Sequence, residues 1–215
     1  MRLSVFFAAF RGIKTLSQVD GVRKEAARMQ TELPTHPNPW QTLSTREVYA
    51  NPWIRMREDQ VLNPSGGRGI YGVVEYKNRA IGVVPVDEQG FTWLVGQWRY
   101  CHGRYEWEIP EGGCPAGESP VEAARRELRE ETGLIAAEIE PLLSGVQLSN
   151  STTDEICDLF IARGLTLAEA QPEETEELEV LRLPLAEAVE MARDGRIRDS
   201  VSVLALLALA GKVLK

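Results

Sequence analysis

Cysteine and histidine are scarce in this chain, and the scarcity excludes a whole class of sites. Cys101, Cys114 and Cys157 share no CxxC spacing, and only His36 and His102 could join them, so no zinc cluster is expected. Three scattered cysteines also suit a reducing cytoplasm. An excess of basic residues is missing too: 24 Lys and Arg face 32 Asp and Glu, a formal charge of −8. That balance disfavours nonspecific contact with nucleic acid or an anionic membrane. A small anionic ligand would therefore need local cations or a metal. No apolar run reaches the ~20 residues of a membrane span. The run "VSVLALLALAGKVLK" is instead expected to be a packed terminal helix, capped by Asp199 or Ser200.

What is present suits one main domain, since a chain of 215 residues buries roughly 70% of its unfolded surface. The start, "MRLSVFFAAFRGIK", lacks a small-residue cleavage signal and is not read as a secretory peptide. Residues 1–39 are read as an N-terminal extension and residues 40–215 as the folded domain. Met29 is a candidate first residue, an expectation that peptides from before it in native protein would reject.

From Thr45 to Arg99 the pattern is β. "REVYA", "WIRMREDQVL", "GIYGVVEY", "AIGVVPV" and "FTWLVGQWR" are rich in β-branched and aromatic residues, and "NPSGG", "KNR" and "DEQG" separate them as turns. Ser119 to Thr132 carries the clearest helix signals. Ser119 is the N-cap, Pro120 takes the first helical position, Glu122 completes a capping box, and Gly133 stands at the left-handed C-terminal position. Val121, Ala124 and Leu128 share one face. Further strands are expected around "EIEPLLSGVQLS", "EICDLFIA" and "LEVLRLP", then a helix from Leu185 to Asp194 and the terminal helix. The order implies an α/β (α+β) sandwich around a mixed, mostly antiparallel sheet.

One feature of the Ser119 helix opposes its own stability. Glu127 lies three residues before Glu130 and four before Glu131, so the three acids share a face and each like-charge pair costs about 0.2–0.5 kcal/mol. They also sit near the C-terminus, where the helix dipole disfavours negative charge by about 0.3–1 kcal/mol per group. Arg126 and Arg129 relieve part of this, as on any salt-bridged surface helix. A divalent cation would relieve more, because carboxylate oxygens are the hard ligands that Mg²⁺ and Mn²⁺ prefer.

These residues match a long signature. The stretch "GGCPAGESPVEAARRELREETGLI" resembles the Nudix box, G-x5-E-x7-R-E-U-x-E-E-x-G-U, where U is a bulky aliphatic residue. Gly112, Glu118, Arg126, Glu127, Leu128, Glu130, Glu131, Gly133 and Leu134 fill every fixed position. The resemblance implies a Nudix-type α/β/α sandwich and a hydrolase of a nucleoside diphosphate linked to another moiety. It also implies roles by position. Glu127 and Glu131 would be the principal metal ligands and Glu130 a further ligand or support. Arg126 would orient the acids, Glu118 would ligate or brace the loop, and the Glu111 carbonyl would be a main-chain ligand. Gly112 would let the backbone approach the metal. Mg²⁺ is the implied cofactor, with Mn²⁺ a substitute.

Outside the box, "GQWRY", "WEIPEGG" and the acidic "LAEAQPEETEELEV" resemble the ADP-ribose and nucleotide-sugar pyrophosphatase branch. The branch implies Glu174 or Glu176 as general base, Glu108 near the metal and substrate, and Arg99 on a phosphate. Where the branch often carries a proline after the box, this chain has Asn150, in "LSNSTTDE". Most of Trp53, Trp98, Tyr100, Tyr105 and Trp107 suit a β core, and Trp98 or Tyr100, beside Arg99, is the choice for stacking on a base. His102 is expected in an exposed loop. The branch further implies a homodimer joined through N-terminal strands, "REVYANPWIRMRE" here. Competing expectations are another linked diphosphate, such as NADH, coenzyme A or a dinucleoside polyphosphate, and a non-catalytic sensor of a nucleotide metabolite.

Overall fold

The computed structural model describes residues 33–168 and 177–213. The proposed start at Met29, and Glu174 and Glu176, lie outside the described residues. The compact unit that carries the strands and helices below runs from Trp40.

The strands are β1 (Gln41–Ala50), β2 (Ile54–Leu62), β3 (Arg68–Tyr76), β4 (Arg79–Pro85), β5 (Phe91–Arg99), β6 (Arg104–Glu108), β7 (Glu111–Cys114), β8 (Leu134–Gln147), β9 (Ile156–Leu167) and β10 (Glu179–Pro184). The helices are α1 (Pro120–Thr132), α2 (Leu185–Asp194) and α3 (Ser200–Val213). Three sheets form in place of one: β1-β2-β3, β10-β5-β6 and β7-β4-β9-β8. Only the last is mixed, with β4 parallel to β9 from Ala80 opposite Cys157 to Pro85 opposite Ala162. All other strand pairings in the sheets are antiparallel.

The apolar runs of β4 and β9 follow from their position, because a strand covered on both faces reads as continuous rather than alternating. Successive residues go to opposite faces. Ile81, Val83, Phe160 and Ala162 join Ala123, Ala124 and Leu128 of α1 in one core. Val84, Leu159 and Ile161 join Ala188, Val189, Leu206 and Leu209 of α2 and α3 in another. Helices therefore lie on both sides of the mixed sheet, as the sandwich reading expects. Full burial of one side chain such as Leu128 stabilises by about 1.5–3 kcal/mol.

The first sheet is built differently. Every residue of β1 is exposed, and Val48, Tyr49, Trp53, Met56 and Ile70 present apolar surface to solvent. Its link to the mixed-sheet region runs through the loop after β8. The Val74 amide donates to the Thr152 carbonyl, the Asp154 amide to the Val74 carbonyl, and the Tyr76 amide to the Asp154 carboxylate.

Candidate active site

Helix α1 starts and stops where its sequence says. The Ser119 hydroxyl accepts from the Glu122 amide at 3.3 Å, and Gly133, at φ 69°, donates its amide to the Arg129 carbonyl. The acids on its last turns are not on a solvated face: Glu127 is 9% exposed and Glu131 only 3%. Burial of two carboxylates would be costly without compensating partners, and Arg126 supplies part of that compensation. Its guanidinium donates to Glu118, to Glu127 at 2.8 Å, to Glu130 at 2.9 Å and to the Gly113 carbonyl at 2.7 Å. The hydrogen bond to Glu118 is the largest influence raising the Arg126 pKa, and that contact holds the Glu118 carboxyl below its ordinary range.

Glu127 and Glu131 reach the short segment before the helix. The Glu111 amide donates to the Glu131 carboxylate at 3.0 Å. At Gly112, an added Cβ would overlap the Glu127 carboxylate, so only glycine lets that group lie against the backbone. The same segment is held on its other sides. The Ile109 amide donates to the buried Ser202 hydroxyl of α3 at 2.9 Å, the Val83 amide donates to the Pro110 carbonyl, and β4 pairs with β7 from Gly82 opposite Glu111. Three separate elements thus clamp five consecutive residues.

A cleft of about 840 Å³ opens beside this segment, a size suited to a nucleotide. Trp98 and Tyr100 line it and are exposed, at 62% and 92%, which leaves both rings free to stack; His102 lines it from the 3-10 turn after β5. Arg99 lies on acids: it is bidentate to Glu108 and reaches Glu111 at 2.7 Å. Asp199 completes a group with Glu108 and Glu111 whose ligand oxygens lie within 4.8 Å of one another. Asp199 is also the cap of α3, accepting from the Ser202 amide at 2.7 Å, which decides between it and Ser200. Burial first, then the charges of Asp199 and Glu108, push the Glu111 carboxyl well up against the pull of Arg99. Glu111 Oε2 is buried with no donor among the described residues, so it can meet a neighbouring carboxylate only through a proton or a cation.

The donor set fits a hard divalent cation. It is all oxygen, it includes a buried acceptor lacking a donor, and the backbone at Gly112 is bared to a carboxylate. A NUDIX domain family model matches residues 76–205, and a second, described as a nucleoside diphosphate sugar hydrolase N-terminal domain, matches residues 40–74. The chain belongs to the Nudix family. It is a Nudix hydrolase whose β1, β2 and most of β3 fall in the N-terminal match.

Two relatives place this Nudix chain further. An ADP-ribose pyrophosphatase of Mycobacterium tuberculosis is 32% identical over 79% of this chain and 83% of its own length. A methanol dehydrogenase activator of Bacillus methanolicus is 31% identical over 77% of this chain and 89% of its own. A solved ADP compounds hydrolase shares the fold at a TM-score of 0.75 and 22% identity, over 84% of this chain and 97% of that one.

Of the residues expected from the Nudix box, Glu127 and Glu131 meet at the Glu111–Gly112 backbone, while Glu130 and Glu118 are gathered by Arg126. Glu108, Arg99, Trp98 and Tyr100 line the adjacent cleft with the side chain of Glu111. Sequence reasoning missed Asp199 as a site residue, although its position before the apolar run had already marked it as a cap. It also missed Glu106, Arg104 and Arg198. Period-two spacing on β6 from Glu108 back to Arg104 was the available signal for the first two.

Proposed function

We propose that this chain hydrolyses the diphosphate bond of a nucleoside diphosphate linked to a sugar, with ADP-ribose the leading substrate, giving a nucleoside monophosphate and a sugar phosphate. The observation that carries the reading is the convergence of Glu127 and Glu131 on the Glu111–Gly112 backbone, which lines a nucleotide-sized cleft. Two names support the substrate class: that of the mycobacterial relative and that of the N-terminal family.

Glu127 and Glu131 would hold Mg²⁺, or Mn²⁺ in its place, with Glu130 in support and the Glu111 carbonyl as main-chain ligand. Held there, such a cation would supply charge neutralisation for the diphosphate and a lowered pKa for water. Arg126 keeps the acids in place from behind, and Glu118 braces Arg126 against the loop. Trp98 and Tyr100 would sandwich or flank the base, a contact worth about 1–3 kcal/mol per nucleobase. Arg99, aimed by Glu108, would turn toward a substrate phosphate. Glu174 or Glu176 would take the proton from the attacking water.

The exposed apolar sheet β1-β2-β3 supports a homodimer, since large exposed apolar patches mark interaction surfaces. All three cysteines are free, in keeping with a reducing cytoplasm. No described helix is long and apolar enough to cross a membrane.

The test is a panel of ADP-ribose, GDP-mannose, UDP-glucose, NADH and diadenosine polyphosphates with Mg²⁺, with products identified. Release of AMP and ribose 5-phosphate from ADP-ribose is expected. Inertness toward every member, with retained nucleotide binding, would make the chain a sensor. Separate Gln variants at Glu174 and Glu176 assign the base; if both turn over normally, that loop has no such role.

A further inference from the structure

A second charged constellation faces the cleft, away from the box. Glu106 is buried on β6, 4% exposed, yet both of its oxygens are taken by arginines. Oε1 accepts from Arg104 Nε and Oε2 from Arg198 Nη2 at 3.4 Å. One cation would balance one carboxylate; here there are two. Each arginine side chain keeps nearly half its surface open, 44% for Arg104 and 49% for Arg198, and both residues line the cleft. The two terminal amino groups of Arg104 meet no acceptor among the described residues.

The neighbouring level of the cleft has the opposite balance. There one cation, Arg99, faces Glu108 and Glu111 with Asp199 beside them. Residues two apart on a strand lie about 6.6–6.8 Å apart, so Glu106 and Glu108 set the two levels roughly that far from each other. That spacing is wider than two phosphates sharing one bridging oxygen. A ligand whose diphosphate lies at the acid-rich level must therefore present a different group to the arginine pair.

We propose that Arg104 and Arg198, held on the buried Glu106, form an anion subsite for a phosphate or carboxylate that the substrate carries beyond its diphosphate. The proposal rests on the diphosphatase reading above. Guanidinium forks suit both anions because paired N–H groups match paired oxygens. The subsite makes the enzyme prefer substrates with a third anionic group over neutral sugars or unmodified nucleosides.

Two matched pairs test it. ADP-ribose against its 2′-phosphate places the extra anion on the nucleoside, and UDP-glucose against UDP-glucuronate places it on the sugar. In the wild-type enzyme the charged member of at least one pair should have a kcat/KM about 10- to 100-fold higher, the scale of a charge-assisted contact. Arg104→Gln and Arg198→Gln should each bring that ratio toward one, and Arg198→Lys should keep part of it. Calorimetry of the same four nucleotides with Mg²⁺ and the Glu131→Gln protein reads the preference without turnover. A charged-over-neutral binding ratio, together with no hydrolysis of any of the four nucleotides by the wild-type protein, sustains the subsite and sinks the diphosphatase reading. Wild-type ratios near one in both pairs, in rate and in binding, overturn the subsite. So do Gln variants that fold and weaken both members equally; if the Gln variants do not fold, the wild-type ratios and Arg198→Lys decide.

Discussion

Helix α1 and the β1-β2-β3 sheet solve opposite problems. The helix buries charge: Glu127 and Glu131 are nearly inaccessible, and Arg126 ties their neighbours Glu118 and Glu130 into one network. The sheet exposes apolar surface, with Val48, Tyr49, Trp53 and Ile70 open to water along strands held by ladder hydrogen bonds. Each arrangement is unfavourable in isolation. On the proposed reading, the helix acids would gain from a cation among them and the sheet from a cover over its apolar surface.

The largest effect that would sharpen this contrast is at the helix. Glu131→Gln should lower turnover by about 100-fold or more, because it removes a charged oxygen donor and weakens the hold on the Glu111 amide. Circular dichroism should show an intact fold, and near-normal rates would remove Glu131 from the cation's surroundings. Gly112→Ala comes next. The added methyl group meets the Glu127 carboxylate, so the variant should lose about 1–3 kcal/mol in denaturant unfolding and much of its Mg²⁺ response. An unchanged midpoint and unchanged metal dependence would mean that Glu127 does not need the bared backbone.

The sheet is tested by adding charge to its open face. Val48→Glu with Ile70→Glu should turn a dimer into a monomer in analytical ultracentrifugation, with little change in the melting of the remaining fold. A wild-type protein that is already monomeric at working concentration would break this side of the comparison. The smallest effect concerns the sheet's ion pairs. Hydrogen bonding to Arg55, the leading cause, holds the Glu75 carboxyl below its ordinary 4.5. A lowered folded pKa means that the pair stabilises fully above that ordinary value, and that the contribution is lost as pH falls through the lower, folded one. Arg55→Ala should therefore flatten the acid limb of stability only slightly, because solvent screens so exposed a pair. A larger loss would show that surface pairing, rather than the ladder, holds the sheet.

Much of the fold was legible along the chain because its signals are local. Ser119, Pro120 and Gly133 marked the ends of α1, and "NPSGG", "KNR" and "DEQG" separated β2 to β5. The division into three sheets was not legible. Strand propensity is the same whether β5 pairs with β4 or with β6 and β10, so the pairing rests on long-range packing. At the site, the box acids were readable from their spacing. The burial of Glu127 against Gly112 was not, since a helix face of alternating charges reads equally well as solvated. Asp199 showed its capping role in sequence and hid its second one, because its approach to Glu108 and Glu111 depends on where α3 packs.

The chain's local signals alone were enough for the extent of α1, for the order of the helices and of every strand except β6 and β7, and for the acids that a hard cation would seek. Those follow from caps, turn residues and periodicity, all of which act within a few residues. Which distant groups meet in and behind the cleft was set by tertiary structure: Glu131 with the Glu111 amide, Ser202 with Ile109, Arg198 with Glu106. Each of these meetings depends on sheet register and on helices docking to opposite faces of β4 and β9. Many distant residues sum to set that geometry, so no short stretch of chain can specify it.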